Sequence, residues 1–530
     1  MPGSTSAPTC LLPARLLIVM VTNLFIIEAP GKRRRLSDVL RRVGIRNLET
    51  VATIGHLCAN PEGLRPLGVD AGFRETHYRI RPDREAVAAE IASRACQADR
   101  IFLATDDDQE GDVIARDVLR FAIPDDHRHK VFRLRLKALA QSEVAAALRA
   151  ARRLDGALAA QGDARRIMDR LIGSLSCETG AVGRVQGCLL LALTEQRPVV
   201  GVYTHTLPAS GGGEDFVARE QIRAGQPLPE PIESPPVAVQ SVAHAPMGGP
   251  PLNHDQILLE ASLHTGAGIR EVSRAMQGLY EQGRLSYPRA KDTAITVESL
   301  KRLSLIARAN GAGFRPELFG AIRDTCNVHA HEAPNPLVMD VPVNRHDSLL
   351  SLSEAVLALI TRRLIQHGMA ARLERPMQSA LPERAKDLPW YRLSSRASHL
   401  WPPEHTTAGY CAWSKEQSLL HFMMEHHLGR PSTVVDHIDK FLSRHLITRT
   451  FDLTVKGSTW CQNVGTLLGR HNLSREVEDY IETHNGSPSE MVKDMLECFR
   501  LTAIASRVEQ QPLEDGATHE GHEISAGFVP

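Results

Sequence analysis

The run Arg100-Ile101-Phe102-Leu103-Ala104 leads without a break into Thr105-Asp106-Asp107-Asp108-Gln109-Glu110-Gly111-Asp112. A short apolar run bounded in this way reads as a buried strand. The acidic turn after it opens a helical pattern over 113–121. In an open α/β sheet, ligands gather at the carboxyl ends of the strands. Asp106, Asp108 and Glu110 alternate, so an extended segment aims all three to one side. Three hard oxygen donors on one side suit Mg²⁺, which prefers carboxylates and keeps several waters. Glu28 ends another apolar run, Leu24–Ile27, and faces the same crevice if the two strands are neighbours. The plainer alternative is an acidic N-cap and first helical turn, favoured by the helix dipole. It accounts for one or two acids and less well for so many, because like charges at short range repel.

Around this turn, residues 20 to 150 alternate between strand and helix. Strands are expected at 24–27, 100–104 and 131–136, and helices at 35–43, 84–96, 113–121 and 141–151. That is an α/β pattern with a mostly parallel sheet. Residues 158–195 read as mainly helical. Glycines, prolines and short Val-rich runs over 200–250 suggest β structure with loose connections. Helices return over 254–310, 352–363, 415–427, 434–443 and 475–485. The tail after Val508 is polar and acidic and reads as disordered.

A second chemical feature is Gly283-Arg284-Leu285-Ser286-Tyr287-Pro288-Arg289. Ile269, Val272, Met276 and Leu279 stand at helical spacing before it, and Gly283 ends that helix. Pro288 biases Tyr287 toward extended angles. A phenol on such a stop, beside a guanidinium, suits attack on a phosphodiester, with Arg289 holding the phosphate by a forked pair of hydrogen bonds. The alternative is an amphipathic tyrosine at a core edge with its hydroxyl in water.

Composition narrows the partners. At 530 residues the chain is expected to form several domains, and Lys plus Arg equals Asp plus Glu at 62 each. Net charge therefore gives no argument for a polyanion; a nucleic acid would have to use a local basic groove. The nine cysteines include no Cys-x-x-Cys pair, which argues against zinc ribbons and for reduced thiols in a cytosolic protein. The apolar stretch 16–27 imitates a signal-peptide core, but Thr22 and Asn23 interrupt it and it reads as a buried strand. Met20 is a candidate start, with residues 1–19 an arm. No stretch approaches the ~20 apolar residues of a membrane span.

With these segments in view, the chain resembles the type IA DNA topoisomerases. Phe25-Ile26-Ile27-Glu28-Ala29-Pro30-Gly31-Lys32 is similar to the opening of that family's Toprim domain, Gly55-His56-Leu57 to the Gly-His motif after it, and Asp106-x-Asp108-x-Glu110-Gly111 to its acidic signature. Asp163-Ala164-Arg165-Arg166 through Asp169 resembles the Ala-Arg-Arg helix, and Gly183-Arg184-Val185-Gln186 the Gly-Arg-Val-Gln motif. Leu285-Ser286-Tyr287-Pro288-Arg289 resembles the active-site tyrosine motif, Ala330-His331-Glu332-Ala333 the histidine motif, and Gly429-Arg430-Pro431-Ser432-Thr433 the Gly-Arg-Pro-Ser-Thr loop. The chain departs from the family at Gln109 (usually Arg), Asp112 (usually Glu), Ala181-Val182, Ala290-Lys291 (usually Thr-Asp) and Pro334-Asn335-Pro336, where Arg-Pro usually follows the histidine motif.

The resemblance implies a multidomain α/β and α architecture: a padlock-like toroid of a Toprim domain (20–155), a helical DNA-binding domain (156–198 and 414–505), a β-rich arch (199–250 and 346–413) and a helical lobe carrying the tyrosine (251–345), with a disordered acidic tail (506–530). It implies that Tyr287 attacks one DNA strand, becomes linked to the 5′ phosphate, and is released when the 3′ hydroxyl reseals the break. No ATP is implied, and the chain has no Gly-x₄-Gly-Lys-Ser/Thr loop. Arg289 and Lys32 are candidates for steadying the phosphate. Glu28 is the candidate proton donor and acceptor for the 3′ oxygen, and His331 a phosphate contact. Mg²⁺ on Asp106, Asp108, Glu110 and Glu28 would position the 3′ hydroxyl. Arg165, Arg166, Arg184 and Arg430 are candidate backbone clamps, Asp169 the orienter of Arg165 and Arg166 or a base contact, and Gln186 and His56 strand contacts. Ser432 and Thr433 are expected to cap the helix that begins near Val434.

The implied partners are single-stranded DNA and negatively supercoiled or catenated duplex. The implied setting is a monomer at the cytoplasmic nucleoid, with a helicase or single-strand-binding protein as a candidate partner. Two other readings stay open: a Toprim nuclease or primase-like enzyme using the acids alone, and a catalytically weak DNA-binding relative.

Overall fold

The computed structural model describes residues 21–63, 67–175, 183–212, 214–320, 322–323, 331–394 and 408–501. The N-terminal arm, Ala181-Val182, Ala330 and the acidic tail lie outside the described residues. The chain divides into two compact units. One comprises Met1–Leu57, Ile80–Leu136 and Ala140–Leu154; the other comprises Cys58–Arg79, Lys137–Leu139 and Asp155–Pro530.

The first unit is built on a four-stranded parallel sheet. Its strands lie in the order Leu48–Ala52, Asn23–Ile27, Arg100–Leu103, Val131–Arg133. All five residues of Asn23–Ile27 are buried, as expected for a parallel strand covered on both faces. Phe25 stacks on Phe102 at 4.9 Å between ring centroids. Helices α1 (Lys32–Arg42), α2 (Glu85–Gln97), α3 (Gln109–Asp117) and α4 (Gln141–Ala150) complete the unit. The chain runs from Asn23–Ile27 outward to Leu48–Ala52 and then returns to pair Arg100–Leu103 on the other side. The strand order therefore reverses between the two central strands, and a crevice opens at their carboxyl ends. Ile26 pairs with Leu103, so the register carried two residues further sets Glu28 beside Thr105.

Two elements differ from expectation here. The helix expected over 113–121 begins at Gln109, because Asp108 caps it, and it ends in a π turn over Val118–Ala122. The strand expected over 131–136 stops at Arg133. Beyond it the Leu134 amide still donates to the Leu103 carbonyl at 2.9 Å, and Leu136 bridges to Asp106, so the chain follows the acidic turn.

The second unit is mainly helical: α5 (Ala157–Leu175), α6 (Arg184–Glu195), α7 (His254–Thr265), α8 (Ile269–Glu281), α9 (Val297–Ala309), α10 (Leu352–His367), α11 (Lys415–Glu425), α12 (Val434–Ser443), α13 (Val455–Leu468), α14 (Leu473–Thr483) and α15 (Pro488–Cys498). Two three-stranded antiparallel sheets accompany them, one of Val199–Leu207 with Phe216–Arg223 and Gly409–Ala412, the other of Val239–Pro246 with Ala370–Pro376 and Arg392–Ser394. One apolar core joins α5 through α15. Residues 58–79 pack on α5, where Arg170 donates to the carbonyls of Pro61 at 3.1 Å and Gly63 at 2.8 Å. Arg166 pairs with Glu75 at 2.6 Å and lies 3.9 Å over the Tyr78 ring. No helix among the described residues is long and apolar enough to cross a membrane.

Candidate active site

At the crevice of the first unit the acidic turn does not run as an extended strand. Asp108 is the N-cap of α3 and accepts from the Gly111 amide at 2.7 Å. Glycine is required at 111, because a Cβ there would collide with the Asp106 carbonyl. Asp106 is 4% exposed and pairs with Lys32 from the first turn of α1. Glu110 lies in the first helical turn and meets His56 Nε2 at 3.0 Å. The expectation that alternation aims Asp106, Asp108 and Glu110 to one side is thus corrected. The helix starts inside the motif, so the three carboxylates take three different partners.

The donor chemistry at this edge, carboxylate oxygens at a strand-order reversal, fits Mg²⁺. As the side chains stand here, no three His, Cys, Asp or Glu among the described residues are grouped to hold a metal ion. Lys32, His56 and the Gly111 amide each engage one of the expected ligands. Burial pulls the His56 imidazolium down, but its bond to Glu110 and the charges of Glu110, Asp117 and Glu28 outweigh this and raise its pKa above the ordinary histidine value.

Two arginines that were not singled out in the sequence complete this edge. Arg133 Nε lies 2.7 Å from Asp112, and its Nη1 donates to the carbonyls of Leu103 at 3.0 Å and Thr105 at 2.9 Å. Arg135 spans Asp107 at 2.8 Å and Asp112 at 2.6 Å. A signal was present in Arg133-Leu134-Arg135, since charges at the end of a buried strand need partners.

In the second unit, Gly283 ends α8 in the left-handed region at φ +68°, and the chain then extends through Tyr287. Tyr287 is 2% exposed. Its ring stacks on His331 with centroids 4.1 Å apart, and Tyr280 meets it edge-on at 5.6 Å. The extended segment is pinned by Asn335: the Ser286 amide donates to the Asn335 carbonyl at 3.0 Å, and the Asn335 amide donates to Ser286 Oγ at 3.0 Å. Glu332, beside His331, accepts from the Thr296 amide and from Ser299 Oγ, each at 2.8 Å, which ties Glu332 to the start of α9. The departure at Asn335 thus has a structural use that sequence comparison does not suggest. Arg289 is half-buried. The departure at Lys291 finds Glu482 on α14 at 2.6 Å.

Three of the four candidate clamp arginines converge on one carboxylate. Glu478 on α14 is 2.8 Å from Arg165, 2.8 Å from Arg184 and 3.6 Å from Arg430. Arg184 also binds Asp169 at 2.8 Å and the Ser474 carbonyl at 2.8 Å. Burial alone would raise the Glu478 carboxyl, but Arg184, Arg165 and Arg430 hold it well below the usual carboxylate range. The side chains of Arg165 and Arg184 are 8% and 1% exposed. Both pair with Glu478, as a guanidinium this buried needs a protein counter-charge. Arg166 is engaged by Glu75 and Asp163, Gln186 accepts from Arg444, and Asp169 orients Arg184 rather than Arg165 or Arg166. Thr433 stands at the N-cap of α12 without capping it; its hydroxyl turns back 3.5 Å from the Arg430 carbonyl. That carbonyl instead accepts from the amides of Thr433 at 2.9 Å and Val434 at 2.8 Å. Ser432 is half-buried in the same turn.

Known proteins agree with this geometry. A Toprim domain model matches residues 23–139, the span of the parallel sheet and its acidic turn. The chain is 27% identical over 312 residues to "DNA topoisomerase I, plasmid" of Xylella fastidiosa, covering 52% of this chain and 45% of that protein. It is 24% identical over 397 residues to DNA topoisomerase 1 of Escherichia coli, covering 64% of this chain and 46% of that one. The chain thus spans less than half the length of these curated relatives. Full-length topoisomerase I from Thermotoga maritima superposes with a TM-score of 0.63 at 18% identity, covering 90% of this chain and 89% of that one, so the fold is shared along nearly the whole chain. The chain is accordingly similar in sequence to DNA topoisomerase 1 proteins of bacteria, shares the fold of a solved topoisomerase I, and carries a Toprim domain.

Proposed function

We propose that the chain is an ATP-independent type IA topoisomerase that cuts one DNA strand through Tyr287, lets a strand or duplex pass, and reseals the break. The observation that carries this reading is Tyr287 itself, a phenol held on His331 in a segment pinned by Asn335. In the proposed step the Tyr287 oxygen bonds to phosphorus and the 3′ oxygen leaves. The phenol loses its proton and the 3′ oxygen gains one. Glu28 is the proposed proton carrier. Arg289, with Lys32 and His331, steadies the phosphate. Resealing reverses each bond, so one phosphodiester replaces another and no ATP is consumed. Glu28, Asp106, Asp108 and Glu110 are the residues that would hold Mg²⁺, which would supply positive charge at the phosphate. These acids must first give up the partners they hold here.

Because Tyr287 is buried, the strand reaches it only when its surroundings move, so opening belongs to the proposed cycle. Arg166 and Arg430 remain the proposed backbone contacts, together with His56, Gln186, Ser432 and Thr433. The domain boundaries and the ring expected from the sequence belong to the same proposal. The proposed substrates are single-stranded and negatively supercoiled or catenated DNA in the cytoplasm.

The test is to denature the protein on labelled single-stranded DNA and look for a 5′-linked adduct, with Tyr287→Phe beside it. The expected result is an adduct that Tyr287→Phe abolishes, together with loss of plasmid relaxation, while single-strand affinity changes less than about 2-fold. Cutting by Tyr287→Phe would show a nuclease using the acids alone. No adduct from the unmodified chain would leave a DNA-binding relative.

A further inference from the structure

Five carboxylates occupy the turn from Thr105 to Asp112 and no basic residue stands within it, position 109 being Gln. The counter-charges come from distant parts of the chain: Lys32 on Asp106, His56 on Glu110, and Arg133 and Arg135 from one strand end. The two arginines differ. Arg133 is 2% exposed, and its guanidinium serves the carbonyls of Leu103, Thr105, Asp106 and Leu134 as well as Asp112. Those bonds anchor the turn's backbone to the sheet. Arg135 is 22% exposed and touches the turn through two carboxylates, Asp107 at 2.8 Å and Asp112 at 2.6 Å. A planar guanidinium can bridge two carboxylates in a fixed geometry, which a lysine ammonium cannot. Asp107 and Asp112 bracket Asp108 and Glu110, so a group that fixes the bracket fixes where the inner pair points.

We propose that Arg135 supplies, from the segment just beyond the neighbouring strand, the cation that position 109 of the turn lacks, and acts as the positioning residue for Asp108 and Glu110. The inference rests on the strand-cleaving function proposed above. It predicts that the position of the charge, and not merely a folded turn, sets the rate.

The test compares Arg135→Gln, Arg135→Lys and the double variant R135Q/Q109R in the full chain. Three quantities are measured: the rate of adduct formation, the affinity for the same oligonucleotide, and amide hydrogen exchange over residues 105–117 in protein without added metal. Arg135→Gln is expected to slow adduct formation about 10- to 100-fold, the effect of a small misplacement of reacting groups. Affinity should change by less than about 2-fold, and exchange over 105–117 should rise. Arg135→Lys is expected to recover part of the rate, and Gln109→Arg in the Arg135→Gln background to recover most of it. An unchanged rate in Arg135→Gln overturns the inference, as does a loss that neither Arg135→Lys nor Gln109→Arg relieves. If the unmodified chain forms no adduct, the strand-cleaving function fails. The exchange comparison then decides by itself whether Arg135 holds the turn, with unchanged exchange counting against it.

Discussion

The acidic edge of the first unit and the arginine cluster of the second solve opposite problems. At the acidic edge, carboxylates crowd together and cations are brought to them from elsewhere in the sequence. In the cluster, three arginines crowd together and one carboxylate, Glu478, is brought to them. Beside the buried pairs of Lys32 with Asp106 and Arg133 with Asp112, the edge keeps a partly open one, with His56 38% and Glu110 31% exposed. The cluster is closed, with Arg184 at 1%. Pairs near water are weak and exchangeable. Buried pairs are costly to break from one side. The difference teaches that similar charged motifs can mark an edge with a pair open to exchange or a keystone that has already found its partner.

The largest expected effect breaks the keystone. Glu478→Gln should cost about 3–5 kcal/mol in denaturant unfolding, because it strands buried guanidiniums without a counter-charge; a loss below about 1 kcal/mol would place the cluster with surface pairs. The pH dependence follows from the same group. The Glu478 pKa is depressed in the folded state, so its contribution is complete above the ordinary carboxylate value near ~4.3 and is lost as pH falls through and below it. Stability measured from about pH 6 down to pH 2 should therefore fall less steeply in Glu478→Gln than in the unmodified chain.

An intermediate effect is expected at Asn335, which is fully buried and donates from its side chain to the Ala333 carbonyl at 2.9 Å. Asn335→Ala should cost about 1–3 kcal/mol and slow adduct formation with oligonucleotide affinity retained. The smallest effect is expected at Lys291–Glu482, whose side chains are 53% and 45% exposed. Lys291→Ala should change stability by no more than about 1 kcal/mol, and less at high salt. A larger loss there would show that the tyrosine segment is tied to α14 as firmly as the arginines are.

Much of the first unit was legible along the chain. Apolar runs at 24–27 and 100–103 are parallel strands because their burial leaves no polar face to alternate, and Gly283 ends α8 because φ +68° is cheap for glycine alone. The acidic turn was legible in position and misread in shape. Alternation suggested a strand, but the Asp108 cap and the bare Cα of Gly111 start the helix within the motif. The clamp arginines were legible as charges. Their common partner was not, because Glu478 stands more than 290 residues from both Arg165 and Arg184. Asn335 was noted as a departure, yet its bonds to Ser286 span 49 residues, and no local pattern announces them.

The sequence by itself determined the local chemistry: which segments are strands, where the helices begin and stop, and which side chains carry a phenol, a carboxylate or a guanidinium. Those follow from short-range sterics and from the periodicity of burial. Only the tertiary structure decided which charges face each other. Electrostatic pairing depends on distance in space, and neither Arg135 over Asp107 and Asp112 nor Glu478 among its arginines is near its partners along the chain.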